Sequence, residues 1–151
     1  MKRYFEEVGK SYKKNSSKAV LPSRGSAFSA GWDFRMPKTV TIQPKQSVMV
    51  WTDVKAHIKR GEVLMLYMRS SLGVKKHLML ANTVGVIDAD YADNPSNDGN
   101  IGVCLYNYGE EPVTLEQGDR FCQGVCVRFL PFADSDPAGK RTGGFGSTGK
   151  A

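Results

Sequence analysis

The chain has 151 residues and a formal net charge of +6, with 40% hydrophobic, 24% charged and 10% aromatic residues. That composition excludes a wholly disordered chain, and the length suits one domain able to bury about 70% of its unfolded surface. No run of 18 apolar residues predicts a membrane span, and the start Met1-Lys2-Arg3-Tyr4 lacks the apolar stretch of a secretory signal; three cysteines (Cys104, Cys122, Cys126), an odd and small number, point to a reducing cytoplasm rather than a disulfide framework.

The charge is uneven along the chain. Lys2, Arg3, Lys10, Lys13, Lys14, Lys18 and Arg24 outweigh Glu6 and Glu7 near the start, whereas the stretch 88–119 has eight acids and no Lys or Arg. No basic helix, zinc spacing or Lys/aromatic stripe accompanies the excess, so no nucleic-acid partner is expected; a solvated basic face and attraction of a small polyanion stay open. Next come period-two patterns. Residues 47–54 predict a strand with Val48, Val50 and Val54 on one face, and residues 62–68 a buried strand after the Arg60-Gly61 turn. A short helix is expected around Ser71–Lys76, and strands again over 101–108 and 121–130. Turn signals recur at Met36-Pro37, Gln43-Pro44, Asn94-Pro95, Asp98-Gly99 and Gln117-Gly118. Many short strands with regular turns predict an all-β sandwich or barrel. From Asp134 onward the sequence turns to Gly, Ser, Thr and Lys/Arg without apolar periodicity. The expected organisation is a β domain over 1–133 and a tail over 134–151 that is mobile or docks on something.

Three segments carry chemistry. Gly85-Val86-Ile87-Asp88-Ala89-Asp90-Tyr91 places a carboxylate after an apolar strand, and a continued strand would put Asp88 and Asp90 on one face. Such a carboxylate can orient a water as general base or sit near a hydrated metal; the alternative is a polar turn. Arg69-Ser70-Ser71 offers a guanidinium, hydroxyls and helix amides to an anion, or merely a serine cap. The tail Arg141-Thr142-Gly143-Gly144-Phe145-Gly146-Ser147-Thr148-Gly149-Lys150 combines glycine amides, hydroxyls and a fork-shaped cation with one aromatic able to stack on a base; the alternative is a disordered tail. It is no P-loop, since Ala151 stands where Ser or Thr is needed and no helix follows. Cys122 and Cys126 predict packed thiols, His57 and His77 solitary side chains, and Trp32 and Trp51 core or edge packing.

Taken in order, Ala30-Gly31-Trp32-Asp33-Phe34, Arg69-Ser70-Ser71-Leu72, Asn82 with Gly85–Tyr91, Gly118-Asp119-Arg120-Phe121-Cys122-Gln123 and the glycine-rich tail resemble the five motifs of the trimeric dUTPase family, over about residues 20–149. The loop 91–99 is similar to a variant of Gram-positive bacteria and their phages. The resemblance implies a distorted jelly-roll protomer of the β-clip type, a homotrimer with sites at subunit interfaces, and Mg²⁺-dependent cleavage of dUTP to dUMP and pyrophosphate in the cytoplasm of a bacterium or phage-infected host. Such cleavage keeps uracil out of DNA and supplies dUMP for thymidylate synthesis.

By position, the resemblance makes Asp88 the base on the attacking water, with Gln123 helping to place it. Tyr91 packs on the deoxyribose. Asn82 and the backbone of Gly85, Val86 and Ile87 read uracil, and Arg69, Ser70 and Ser71 hold phosphates. Asp33 supports the site through the second layer of residues or water around the metal. Arg141, Ser147 and Thr148 grip the γ-phosphate while Phe145 covers the base and Gly146 also binds substrate, the tail closing a neighbouring subunit's site. Mg²⁺ is expected on phosphates and water, with no direct protein ligand. Trp32 stands where the family more often has Tyr, Cys122 replaces a small residue, and Ala92 replaces an Arg. Deamination of dCTP on the same fold would need a Glu in 101–108, which holds none. Binding of a regulatory protein partner, through the 92–100 loop, is a second role that could coexist with catalysis.

Overall fold

Alternating sequence becomes alternating burial along the strands. In β10 (Gly102–Asn107), Val103, Leu105 and Asn107 point inward and their neighbours are half-buried. The computed structural model describes residues 2–132 together with Gly143 and Gly144. Among these it has β1 (Tyr4–Glu7), β2 (Ser23–Arg24), β3 (Trp32–Arg35), β4 (Val40–Ile42), β5 (Ser47–Trp51), β6 (Val54–His57), β7 (Glu62–Met68), α1 (Ser70–Lys76), β8 (Leu78–Leu80), β9 (Gly85–Asp88), β10, β11 (Val113–Leu115) and β12 (Arg120–Arg128). The described residues are all-β apart from that helix and a 3-10 turn at Lys10–Tyr12.

The largest sheet runs β2-β3-β12-β7-β9, and a second runs β5-β10-β8; β1-β6 and β11-β4 form two ribbons, all pairs antiparallel. Between the layers lies one core that includes Phe34, Leu64, Leu66, Leu80, Leu105 and Phe121. Each such side chain contributes about 1.5–3 kcal/mol by leaving water. A bulge between Arg120 and Cys122 lets the successive residues Phe121 and Cys122 both face this core.

Three expectations are corrected. Residues 47–54 form two strands, because Asp53 turns the chain at φ 57°. Its buried carboxylate accepts the amides of Lys14 (2.8 Å) and Asn15 (2.9 Å) and Nδ2 of Asn100 (2.9 Å), a set of donors from elsewhere in the chain that stabilises the turn. Asp90 shares no strand face with Asp88, since β9 stops at Asp88 and the backbone turns there, with the Tyr91 amide bonded to the Asp88 carbonyl (3.1 Å). His57 is not solitary: it is buried, stacks on Tyr4 with centroids 4.3 Å apart, and lies 3.0 Å from Glu6 Oε2. The helix begins at Ser70, with Arg69 rather than a serine at the cap position and no side-chain cap bond. Trp32 packs at the sheet edge against Phe5, 5.6 Å between centroids, with Arg24 over its ring.

Candidate active site

The hairpin that joins β8 to β9 has its arms in different sheets, β8 pairing with β10 and β9 with β7. The turn between them therefore bridges the sandwich. Thr83 adopts φ 62°, and its amide bonds the Leu80 carbonyl at 2.9 Å, closing the turn. Beneath the hairpin is a cavity of about 700 Å³. The expected residues Asn82, Gly85, Val86, Ile87, Asp88 and Tyr91 all line it. So do Met49 and Cys104, which the motifs did not single out, and Gly144 of the glycine-rich tail. Asp88, at the strand end, is half-buried, and Val86 is exposed to the cavity.

Tyr91 forms the buried back of the cavity. Its hydroxyl donates to the Asn100 carbonyl (2.9 Å) and accepts from Asn97 Nδ2 (2.8 Å), while Asn94 Nδ2 donates to its carbonyl (2.7 Å). Both ends of the residue are thus tied to the 91–100 loop. Gly99 is required there: at φ 80° its position would put a Cβ 2.9 Å from the Tyr91 carbonyl oxygen. These asparagines escaped the sequence reading; the only signal for them was the density of Asn and Asp in the loop.

A second group lies elsewhere. Asp33 is buried, with Oδ1 3.2 Å from Arg69 Nε and Oδ2 3.3 Å from Arg120. It holds Arg69 beside the exposed Ser70 and Ser71. Arg120, within a motif but given no role there, is thus a partner of Asp33. Gln123 pairs across strands with both Asp33 and Tyr67, and its side chain fills the space where a Cβ on Gly31 would sit. A side chain at position 31 would push the Gln123 amide out of this place.

One chain does not bring the two groups together. Asp88 lies opposite Val63 on one flank of β7, while Arg69 follows the far end of that strand. Six residues at ~3.4 Å each separate them by about 20 Å along the strand. Gln123 sits on the other flank of β7. Arg141, Phe145, Gly146, Ser147 and Thr148 lie outside the described residues, whereas Gly144 rests against Ser96 and Asn97 beside the cavity. Among the described residues no three His, Cys, Asp or Glu gather into a metal site, and no helix is long and apolar enough to cross a membrane.

Comparison with known proteins agrees with this all-β fold. The dUTPase family pattern matches residues 17–149. The deoxyuridine 5'-triphosphate nucleotidohydrolase of Lactococcus lactis subsp. lactis is 44% identical over 150 residues, 97% of each chain. The crystal structure of a dUTPase from Streptococcus mutans superposes with a TM-score of 0.75 at 41% identity, covering 85% of this chain and 97% of that one. A mutant dUTPase of phage phi11 of S. aureus, which coordinates a structural Mg(II) ion, shares the fold at a TM-score of 0.71 and 21% identity, over 92% of this chain and 98% of that one. The all-β architecture and these similarities define the class as that of nucleotide pyrophosphohydrolases. The chain belongs to the dUTPase family.

Proposed function

We propose that the chain hydrolyses dUTP to dUMP and pyrophosphate, as a homotrimer whose sites are shared between subunits. The observation that carries this reading is the convergence of Asn82, Asp88 and Tyr91 on one cavity spanned by a two-sheet hairpin. In it, the Asn82 side chain and the backbone of Gly85, Val86 and Ile87 pair with the uracil edge. The Tyr91 ring, fixed at both ends, packs on the deoxyribose and leaves no room for a 2′-hydroxyl. The Asp88 carboxylate takes a proton from water as its oxygen bonds to the α-phosphorus; the bond from that phosphorus to the bridging oxygen breaks, and pyrophosphate leaves. Asn is a poor substitute at 88 because it cannot accept that proton.

The distance between the two half-sites supports sharing. Arg69, Ser70, Ser71 and Gln123 of one subunit would serve the cavity of another, with Asp33 keeping the Arg69 guanidinium in place. Exposed apolar side chains at the end of β12, with Leu130 at 92% and Phe132 at 90% exposure, supply surface for such an assembly. Gly144 at the cavity supports a tail that reaches an active site, where Arg141, Gly146, Ser147 and Thr148 would bind the γ-phosphate end and Phe145 the base. Mg²⁺ suits this donor set as an ion carried by phosphate oxygens and water, and when bound it offsets the triphosphate charge that repels water. The likeness to the Lactococcus lactis and Streptococcus mutans proteins supports an activity in the cytoplasm of a bacterium or phage-infected host.

The test is pyrophosphate release from dUTP, dTTP, dCTP and UTP, with and without Mg²⁺. The expected result is turnover of dUTP alone and only with the ion. Comparable turnover of dTTP would overturn the assignment of the cavity.

A further inference from the structure

We propose that Lys55 is a positioning residue for this reaction, its ammonium holding the 91–100 loop and, through it, the ring of Tyr91. The inference rests on the reading that Tyr91 packs on the deoxyribose. Lys55 lies on β6, outside every motif, yet its side chain is only 10% exposed, an unusual state for lysine. Its Nζ donates to Asp93 Oδ1 at 2.6 Å and to both oxygens of Asp98 at 3.1 and 3.2 Å, with Glu6 Oε2 3.8 Å away.

The loop needs that cation. Between Gly85 and Asn100 it carries Asp88, Asp90, Asp93 and Asp98 and no Lys or Arg. These acids repel one another, and they stand beside a cavity meant for a polyanion. Asp93 and Asp98 also adopt left-handed φ values of 60° and 58°, which cost free energy unless the surroundings hold them. Lys55 binds both. The Asp93 amide in turn bonds the Asp98 carbonyl (3.3 Å), and Asp98 accepts the Gly9 amide (2.7 Å). From there Asn94 and Asn97 carry the arrangement to the carbonyl and hydroxyl of Tyr91. Burial opposes the charge on Lys55, but its hydrogen bonds to Asp93 and Asp98 outweigh that and raise its pKa, so the ammonium persists at neutral pH.

A residue that sets the sugar wall acts on selectivity. Lys55→Met is expected to lower the ratio of kcat/KM for dUTP over UTP by about tenfold, chiefly through KM for dUTP. In the substrate-free protein, amide exchange should quicken at Asp93, Asp98 and Asn100 while the β12 amides stay as protected as before. Lys55→Arg, which keeps the charge, should restore most of the ratio. An unchanged ratio in a folded Lys55→Met protein overturns the proposal, even if exchange quickens, because Lys55 would then be structural only. If that variant does not fold, the double variant Asp93→Asn/Asp98→Asn takes its place and must show the same loss; an unchanged ratio there overturns it equally. The two readings fail separately. A wild-type protein inert toward dUTP refutes the proposed function, whereas unaltered loop exchange in Lys55→Met refutes the positioning role alone.

Discussion

Two aspartates on the same five-stranded sheet are treated in opposite ways. Asp33 is buried with its oxygens on Arg69 and Arg120, so its charge serves to fix two cations. Asp88 stands half-buried at a strand end on the wall of an open cavity. The first position suits a carboxylate that holds other groups, and the second one that meets solvent and substrate. Sequence alone presents both as an acid in or after an apolar strand; what sets Asp33 apart is that the fold brings Arg69 and Arg120 onto its oxygens.

That contrast can be broken by mutation. Asp88→Asn should reduce pyrophosphate release by about 10²–10⁴-fold while a nonhydrolysable dUTP analogue still binds by calorimetry. Near-normal turnover would strip Asp88 of its role as base. Removing residues 139–151 should cost about 10²-fold in kcat by withdrawing phosphate donors, with the oligomer mass by light scattering unchanged. A monomeric product would instead make the tail part of the assembly. Asp33→Asn should act more mildly, lowering kcat/KM about tenfold as Arg69 loses its anchor, and lowering the melting temperature; a loss equal to that of Asp88→Asn would erase the distinction drawn between the two aspartates.

The smallest effect concerns a third acid, Glu62. Its hydrogen bond from Arg3 (Nε to Oε2, 2.7 Å) outweighs burial and lowers its pKa to about 2. Because the folded value lies below the unfolded one, the stabilisation is present above roughly pH 4.5 and is lost as pH falls toward 2. Thermal unfolding of Glu62→Gln should accordingly show a flatter pH dependence across that window and little change in turnover at neutral pH. A parallel pH dependence would show that the Arg3 contact contributes nothing.

The strands β5, β7, β9, β10 and β12 were legible because alternation and turn residues are local signals, whereas short strands such as β1, β4, β8 and β11 drew no expectation. Less legible were features built from distant partners. The break at Asp53 depends on amides of Lys14 and Asn15 and on Asn100, none of them near it in sequence. His57 looked isolated beside lysines, but β1 brings Tyr4 and Glu6 onto it. Arg120 gains its meaning only when β12, pairing with β3, brings its guanidinium within 3.3 Å of Asp33. The packed state expected of Cys122 is observed, and burial pushes its thiol pKa up, away from reactivity. The separation of Asp88 from Arg69 reflects register, which periodicity does not specify.

The split hairpin has a consequence for base choice. Its arms are anchored in opposite layers, so the depth of the recess is inherited from the aliphatic filling behind it, including Leu66 and Leu80. Trimming either one to alanine would deepen the recess without altering a single polar contact. On the proposed reading of this cavity, rejection of an extra methyl on the pyrimidine rests on hydrocarbon bulk, and a protein that kept every motif residue could still admit thymine.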